Sequence, residues 1–205
     1  MLGEKGVAHE LVRESPWQRR DEFLDLNPAG QTPVLVEEKG TVLIDSNVIC
    51  EYFEETLEKA PMIPGTARDR AEVRRLVAFF DDRLYGDVVG PLLEERMRKR
   101  IVSRDPPDTR VLREAMKVAN SHLDYIDYLL DHRRWLAGPV LSLADLTAAA
   151  HLSVADYLGG LDWRSHKQTT DWYAVMKSRP SFRPFLGERM EVIVPPAHYD
   201  KVDFF

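Results

Sequence analysis

The chain carries a single cysteine, Cys50, among 205 residues. An internal disulfide framework is thereby excluded, and such usage fits a reducing, cytoplasmic setting. No apolar run approaches the ~20 residues that a membrane-spanning helix needs. The start of the chain has no basic segment followed by an apolar one, so it does not read as a secretory signal. None of the six histidines falls at a metal-ligand or catalytic-triad spacing, and His122, His151 and His166 each stand alone. Internal repeats and low-complexity tracts are missing. An excess of positive charge is missing too, since the formal net charge is −6, which argues against a nucleic-acid partner.

What is there suits a soluble globular protein. Hydrophobic residues make up 44% and charged residues 30%, enough for a sizeable core in one large or two small domains. The charge is unevenly placed. Residues 1–58 hold 5 Lys+Arg and 13 Asp+Glu, and the rest hold 23 and 21, as expected of two differently built units.

The first of these mixes strands and helices. MLGEKG reads as the last turns of a helix closed by Gly6, without an N-cap residue before it. VAHELV alternates apolar and polar as a half-buried strand does. A short helix is predicted at Asp21–Leu26, stopped by Asn27-Pro28. PVLVE and TVLI, joined by the turn EKGT, read as a hairpin. A helix follows from Ser46, with Val48, Ile49, Tyr52 and Phe53 on a broad apolar face. KAPMIPG, residues 59–65, has the composition of a linker.

Beyond it the pattern is helical. Val73, Leu76, Val77, Phe80 and Leu84 share a face, and Gly86, Gly90 and Pro91 are expected to bend or break that helix. SRDPPDT reads as a loop. Leu112, Met116, Ala119, Leu123, Ile126 and Leu130 form a helical seam. Leu143–Leu158 and a segment ended by Pro180 are further helices. The tail, VIVPPAHYDKVDFF, has little periodicity and is expected to lie along the surface.

Three stretches carry chemistry. In NPAGQTPVLV, Pro33 directly precedes a strand, where its missing N–H is tolerated. An ordinary trans turn and a cis Thr32-Pro33 bond are both open there. In LIDSNVICEYFEE, Asp45 and Ser46 stand where a strand ends and a helix begins. Ser46 is a natural N-cap, and the free amides behind it can receive an anion. Asp45 adds a carboxylate suited to an ammonium, so the pair would fit a ligand with adjacent amino and carboxylate groups, or it is plain capping. In LSLADLTAAA, Ser142 and Asp145 match a capping box, a structural role.

These stretches, with WLAGPVLSLADLTAAAHL and RPSFRPFL, in this order and spacing, resemble a bacterial cytosolic-type glutathione S-transferase over nearly the whole chain. The resemblance implies an α+β, two-domain fold: a thioredoxin-like domain at 1–58, a linker at 59–65 and an all-helical domain at 66–205. It implies a cis bond at Thr32-Pro33, a glutathione site at Gln31, Thr32, Pro33, Asp45 and Ser46, and usually a homodimer. It also implies a small hydrophobic electrophile as second substrate, with Phe79, Phe80 and Arg83 as its wall. No metal, nucleic acid or membrane is called for.

Two departures accompany it. Asp45 stands where many bacterial members carry the longer Glu. MLGEKGVAHELV resembles the end of the family's first helix and its second strand, so the first strand and the loop with the catalytic Tyr, Ser or Cys are expected upstream of Met1. No catalytic residue is therefore assigned. Cys50 reads as a buried structural cysteine, Ser15 is out of place for catalysis, and ERMRKRIVSR reads as a solvated helix end. The implied function is a transferase that conjugates or reduces small electrophiles with the glutathione thiolate. The alternative is a non-catalytic glutathione-binding or protein-interaction module that retains the fold.

Overall fold

The computed structural model describes residues 1–190 and 192–202. The chain divides into two compact units, Met1–Pro61 and Met62–Phe205. The first contains α1 (Leu2–Lys5), a single 3₁₀ turn at Pro16–Gln18, α2 (Asp21–Leu26), β1 (Val34–Val36), β2 (Val42–Ile44) and α3 (Ser46–Thr56).

α1 ends at Gly6, whose φ of +68° suits a residue without Cβ. Lys5, in the last turn, is buried. Its Nζ pairs with Glu54 of α3 at 2.8 Å and donates to the carbonyls of Leu57 and Lys59 at 3.1 and 3.2 Å. The carbonyl end of α3 is thus closed by a cation, which its dipole favours.

VAHELV is not a strand. Among the described residues it has no ladder partner, and Leu11 and Val12 are 67% and 79% exposed. Alternation produces a strand only where a neighbour takes the hydrogen bonds and a core takes the apolar face. PVLVE and TVLI do pair as an antiparallel hairpin, with Val34 opposite Ile44, Leu35 opposite Leu43 and Val36 opposite Val42. Its turn is closed by Glu37 N–H to Thr41 O and Gly40 N–H to Glu37 O. On α3 the buried face narrows to Ile49 and Phe53. Val48 is half exposed, Cys50 is half-buried rather than buried, and Tyr52 donates its hydroxyl to Glu37 at 2.8 Å.

The second unit is helical. α4 (Ala67–Phe79) starts at a capping box formed by Thr66 and Asp69. Of the bend or break expected at Gly86, Gly90 and Pro91, no break occurs, though the regular helical pairing is disturbed on either side of Gly90–Leu92. The helix runs on through Phe80–Val89 and Leu93–Ser103, with α5 (Gly90–Leu92) between them. In these flanking stretches the pairing widens to one more residue per bond, as in Gly90 N–H to Tyr85 O and Arg104 N–H to Lys99 O. Leu84, Val88, Val89 and Leu92 are buried on this path, and their packing outweighs the local cost of glycine and proline.

α6 (Thr109–His132), α7 (Leu143–Tyr157), α8 (Lys167–Ser178) and the single turn α9 (Arg183–Leu186) complete the unit. On α6 the buried stripe is Ala115, Ala119, His122, Leu123, Ile126 and Leu129; of the predicted seam, Ala119, Leu123 and Ile126 are buried, Leu112 and Leu130 are half-buried and Met116 faces outward. Ala144, Ala148, Ala149 and Ala155 of α7 are fully buried, small enough for close helix approach. No helix among the described residues is long and apolar enough to cross a membrane.

Candidate functional site

The hairpin register assembles the candidate site. Val34 and Ile44 face each other at the open end of β1 and β2. Thr32-Pro33 enters that end and Asp45-Ser46 leaves it, so two stretches separated by a strand, a turn and a strand meet there. Gln31, Thr32, Pro33, Asp45 and Ser46 are all exposed. The Thr32-Pro33 bond is cis.

The approach to Thr32 is shaped by Asn27, which is buried. Its Nδ2 donates to Gln31 O at 2.7 Å, its Oδ1 accepts from Ala29 N–H at 3.0 Å, and its carbonyl accepts from Gly30 N–H at 2.8 Å. Gly30 sits at φ +67°, and a Cβ there would press on Leu24 and Arg19. The sequence marks Asn27 only as the stop of α2. Its second role shows in the structure alone, because the signal is one Asn-Pro pair in a loop.

On the other side, the residue that caps α3 is Asp45, not Ser46. Asp45 Oδ1 accepts from Asn47 N–H at 2.8 Å and Val48 N–H at 3.2 Å. Its φ of +81° lies in the left-handed region, a conformation that costs a non-glycine residue about 1–3 kcal/mol. Ser46 becomes the first helical residue. The two amides that could have received an anion are already held by a carboxylate. What the arrangement offers a ligand is the free side of that carboxylate, fit for an ammonium, with Ser46 beside it.

Of Phe79, Phe80 and Arg83, Phe80 is not available to line a site. Phe80 is fully buried in the helical core, and Arg83 is exposed. Phe79 lies between them in exposure, edge-on to Phe80 and close to the rings of His122 and Tyr125. Phe79 and Arg83, four residues apart, share a helix face, while Phe80, one residue on from Phe79, is turned into the core.

Ser142 and Asp145 form the capping box at the start of α7, and both are buried. Asp145 Oδ2 accepts from Ser142 N–H and Oγ–H at 3.0 and 3.1 Å. Its Oδ1 accepts from Leu136 N–H at 3.0 Å and Trp172 Nε1–H at 3.1 Å. Burial pushes this carboxyl up, and the four donors oppose that only in part. Trp172 and Leu136 escape sequence reasoning, since no local pattern links them to Asp145.

The isolated histidines are each set against aspartate. His122 lies 3.1 Å from Asp87, His151 2.8 Å from Asp81, and His166 3.5 Å from Asp124. Among the described residues no cluster of His, Cys, Asp and Glu is suited to a metal ion.

Comparison with known proteins gives the family. Residues 1–56 match the family domain described as "Glutathione S-transferase, N-terminal domain". FtsZ-localized protein A of Caulobacter vibrioides is 43% identical over 206 residues, covering 99% of this chain and 90% of that protein. A solved glutathione S-transferase of Rhodospirillum rubrum is 48% identical with a TM-score of 0.97, covering 99% of this chain and 91% of the other. One from Sinorhizobium meliloti is 39% identical with a TM-score of 0.93 over the same shares.

Proposed function

The chain belongs to the glutathione S-transferase family, and from that premise we propose that it works as a protein-interaction member of the family, with FtsZ as its partner and glutathione as its small ligand. The observation that carries this reading is the near full-length similarity, at 43% identity, to a relative named for its localisation with FtsZ. A fold of this kind supports unrelated activities, so the activity rests on the relative and on the site rather than on the fold.

The site supports the glutathione part. The γ-glutamyl end of the tripeptide carries an ammonium and a carboxylate. Asp45 offers its unused carboxylate oxygen to the first, and Ser46 stands beside it for the second. Thr32 lies across the hairpin end, where an extended peptide can pair with main chain. The working form in this reading is a cytoplasmic homodimer, which sedimentation equilibrium of the purified protein checks.

A second reading, conjugation of small electrophiles with the glutathione thiolate, is favoured by the 48% identity to the Rhodospirillum rubrum transferase. The two separate in one pair of assays on the natural full-length protein. Calorimetric titration with purified FtsZ reads association, and conjugation of an aryl halide with glutathione reads turnover. Saturable binding to FtsZ with a rate no higher than the uncatalysed reaction supports the first reading. Turnover well above that rate without FtsZ binding replaces it by the second.

A further inference from the structure

The C-terminal tail does not simply lie along the surface. It is pinned to α7 and α8 by polar groups; Asp203–Phe205 fall outside the described residues. One row of α7, Ser153, Asp156 and Tyr157, faces it. The Tyr157 hydroxyl accepts from Met190 N–H at 2.8 Å and donates to Ile193 O at 2.9 Å. The Ser153 and Tyr199 hydroxyls are 2.9 Å apart. Asp156 Oδ1 lies 2.8 Å from His198 Nε2 and also accepts from Trp163 Nε1–H at 3.0 Å. From α8, Lys177 Nζ donates to His198 O at 3.4 Å and lies over the rings of Tyr173 and Tyr199. Beneath this cover Asp156 and Lys177 are 1% and 0% exposed.

Tyr199 is the buried apolar side chain of the tail, and Val194 is 92% exposed. Beside the ring contacts of Tyr199 with Tyr157 and Lys177, the tail is held by the hydrogen bonds named above, which water replaces when they open, so each contributes little net. The opposite side of α7, with Ala148, Leu152 and Ala155, is sealed by apolar packing instead. Segments with few buried apolar contacts open below the free energy of global unfolding.

We propose that the tail over residues 192–202 is a strap that opens while the helices beneath it stay folded, and that opening uncovers Asp156 and Lys177, the acid and the amine that both contact His198. Closed, the strap hides both charges. Open, it offers them on the α7–α8 surface. Burial holds the Lys177 ammonium below the usual lysine range, and the Asp156 charge opposes that. Lifting the strap relieves the burial.

Pulsed acetylation of lysines in the whole protein, read by peptide mass spectrometry, tests this. Global unfolding is followed in parallel by the fluorescence of the buried Trp163 and Trp172. The strap predicts that Lys177 is acetylated faster than global unfolding allows. His198→Ala and Tyr199→Phe, which each remove one holding bond, are expected to raise that rate roughly three- to tenfold with the helical melt unchanged. Acetylation of Lys177 only at the rate of global unfolding overturns the proposal. So does a rate that neither substitution alters.

Discussion

Asp145 shows how far a single residue is legible. Its spacing from Ser142 marks a capping box, and the structure has one. Nothing local reveals that the same carboxylate also receives Leu136 and Trp172, because those donors lie nine and twenty-seven residues away. Asp145→Ala leaves four buried donors without an acceptor and removes the cap. The expected loss is about 3 kcal/mol, from the cap and the unsatisfied donors together, read as a lower urea midpoint. The candidate site was legible in the same partial way. The strand-to-helix position of Asp45 and Ser46 was visible. Which of them caps was not, since that depends on the backbone of Asp45 turning to φ +81°. Ser46→Ala is expected to weaken glutathione binding about tenfold, the value of one hydrogen bond to a charged group, measured by calorimetry. An unchanged affinity removes Ser46 from the site.

At the scale of elements, periodicity located the hairpin and the long helices but not their joints. VAHELV has the alternation of a strand without the partner that makes one. Gly86, Gly90 and Pro91 have the composition of a break, but buried packing carries the helix through them. Ion pairs between elements were invisible for a similar reason. Glu72 on α4 accepts from Arg75 at 2.7 and 2.9 Å and from Arg133, just past α6, at 2.8 Å; Arg75 also reaches Tyr125. Hydrogen bonding to Arg75 first, then to Arg133, pulls its carboxyl down from 4.5 to about 2. A carboxyl lowered on folding stabilises fully above its unfolded value and loses that contribution as pH falls through the folded one. The link between α4 and α6 is therefore complete above pH 4.5 and fades toward pH 2. Arg75 is half exposed, and water screening leaves about 1 kcal/mol. Glu72→Gln is expected to flatten the stability curve in that window, seen in urea melts at stepped pH. Lys5 joins α1 to the end of α3 with both partners buried. Lys5→Met takes the buried ammonium from Glu54 and from the carbonyls of Leu57 and Lys59, and a loss of about 3 kcal/mol is expected, with faster hydrogen exchange at the end of α3.

At the scale of the whole molecule, the charge asymmetry and the change of pattern near residue 60 led to the expectation of two units, and the order and spacing of the motifs pointed to the family. They could not give the partner. Partner recognition depends on surfaces, and surface residues are the ones that core periodicity leaves unconstrained. We propose that glutathione chemistry and partner binding are separate properties of this chain, with FtsZ association the one that defines its work. The heat of binding on titrating purified FtsZ into the natural full-length protein tests this most directly. The account predicts saturable binding that Ser46→Ala leaves intact. No heat beyond dilution across the titration, with an aryl halide conjugated to glutathione by the same preparation, would contradict it.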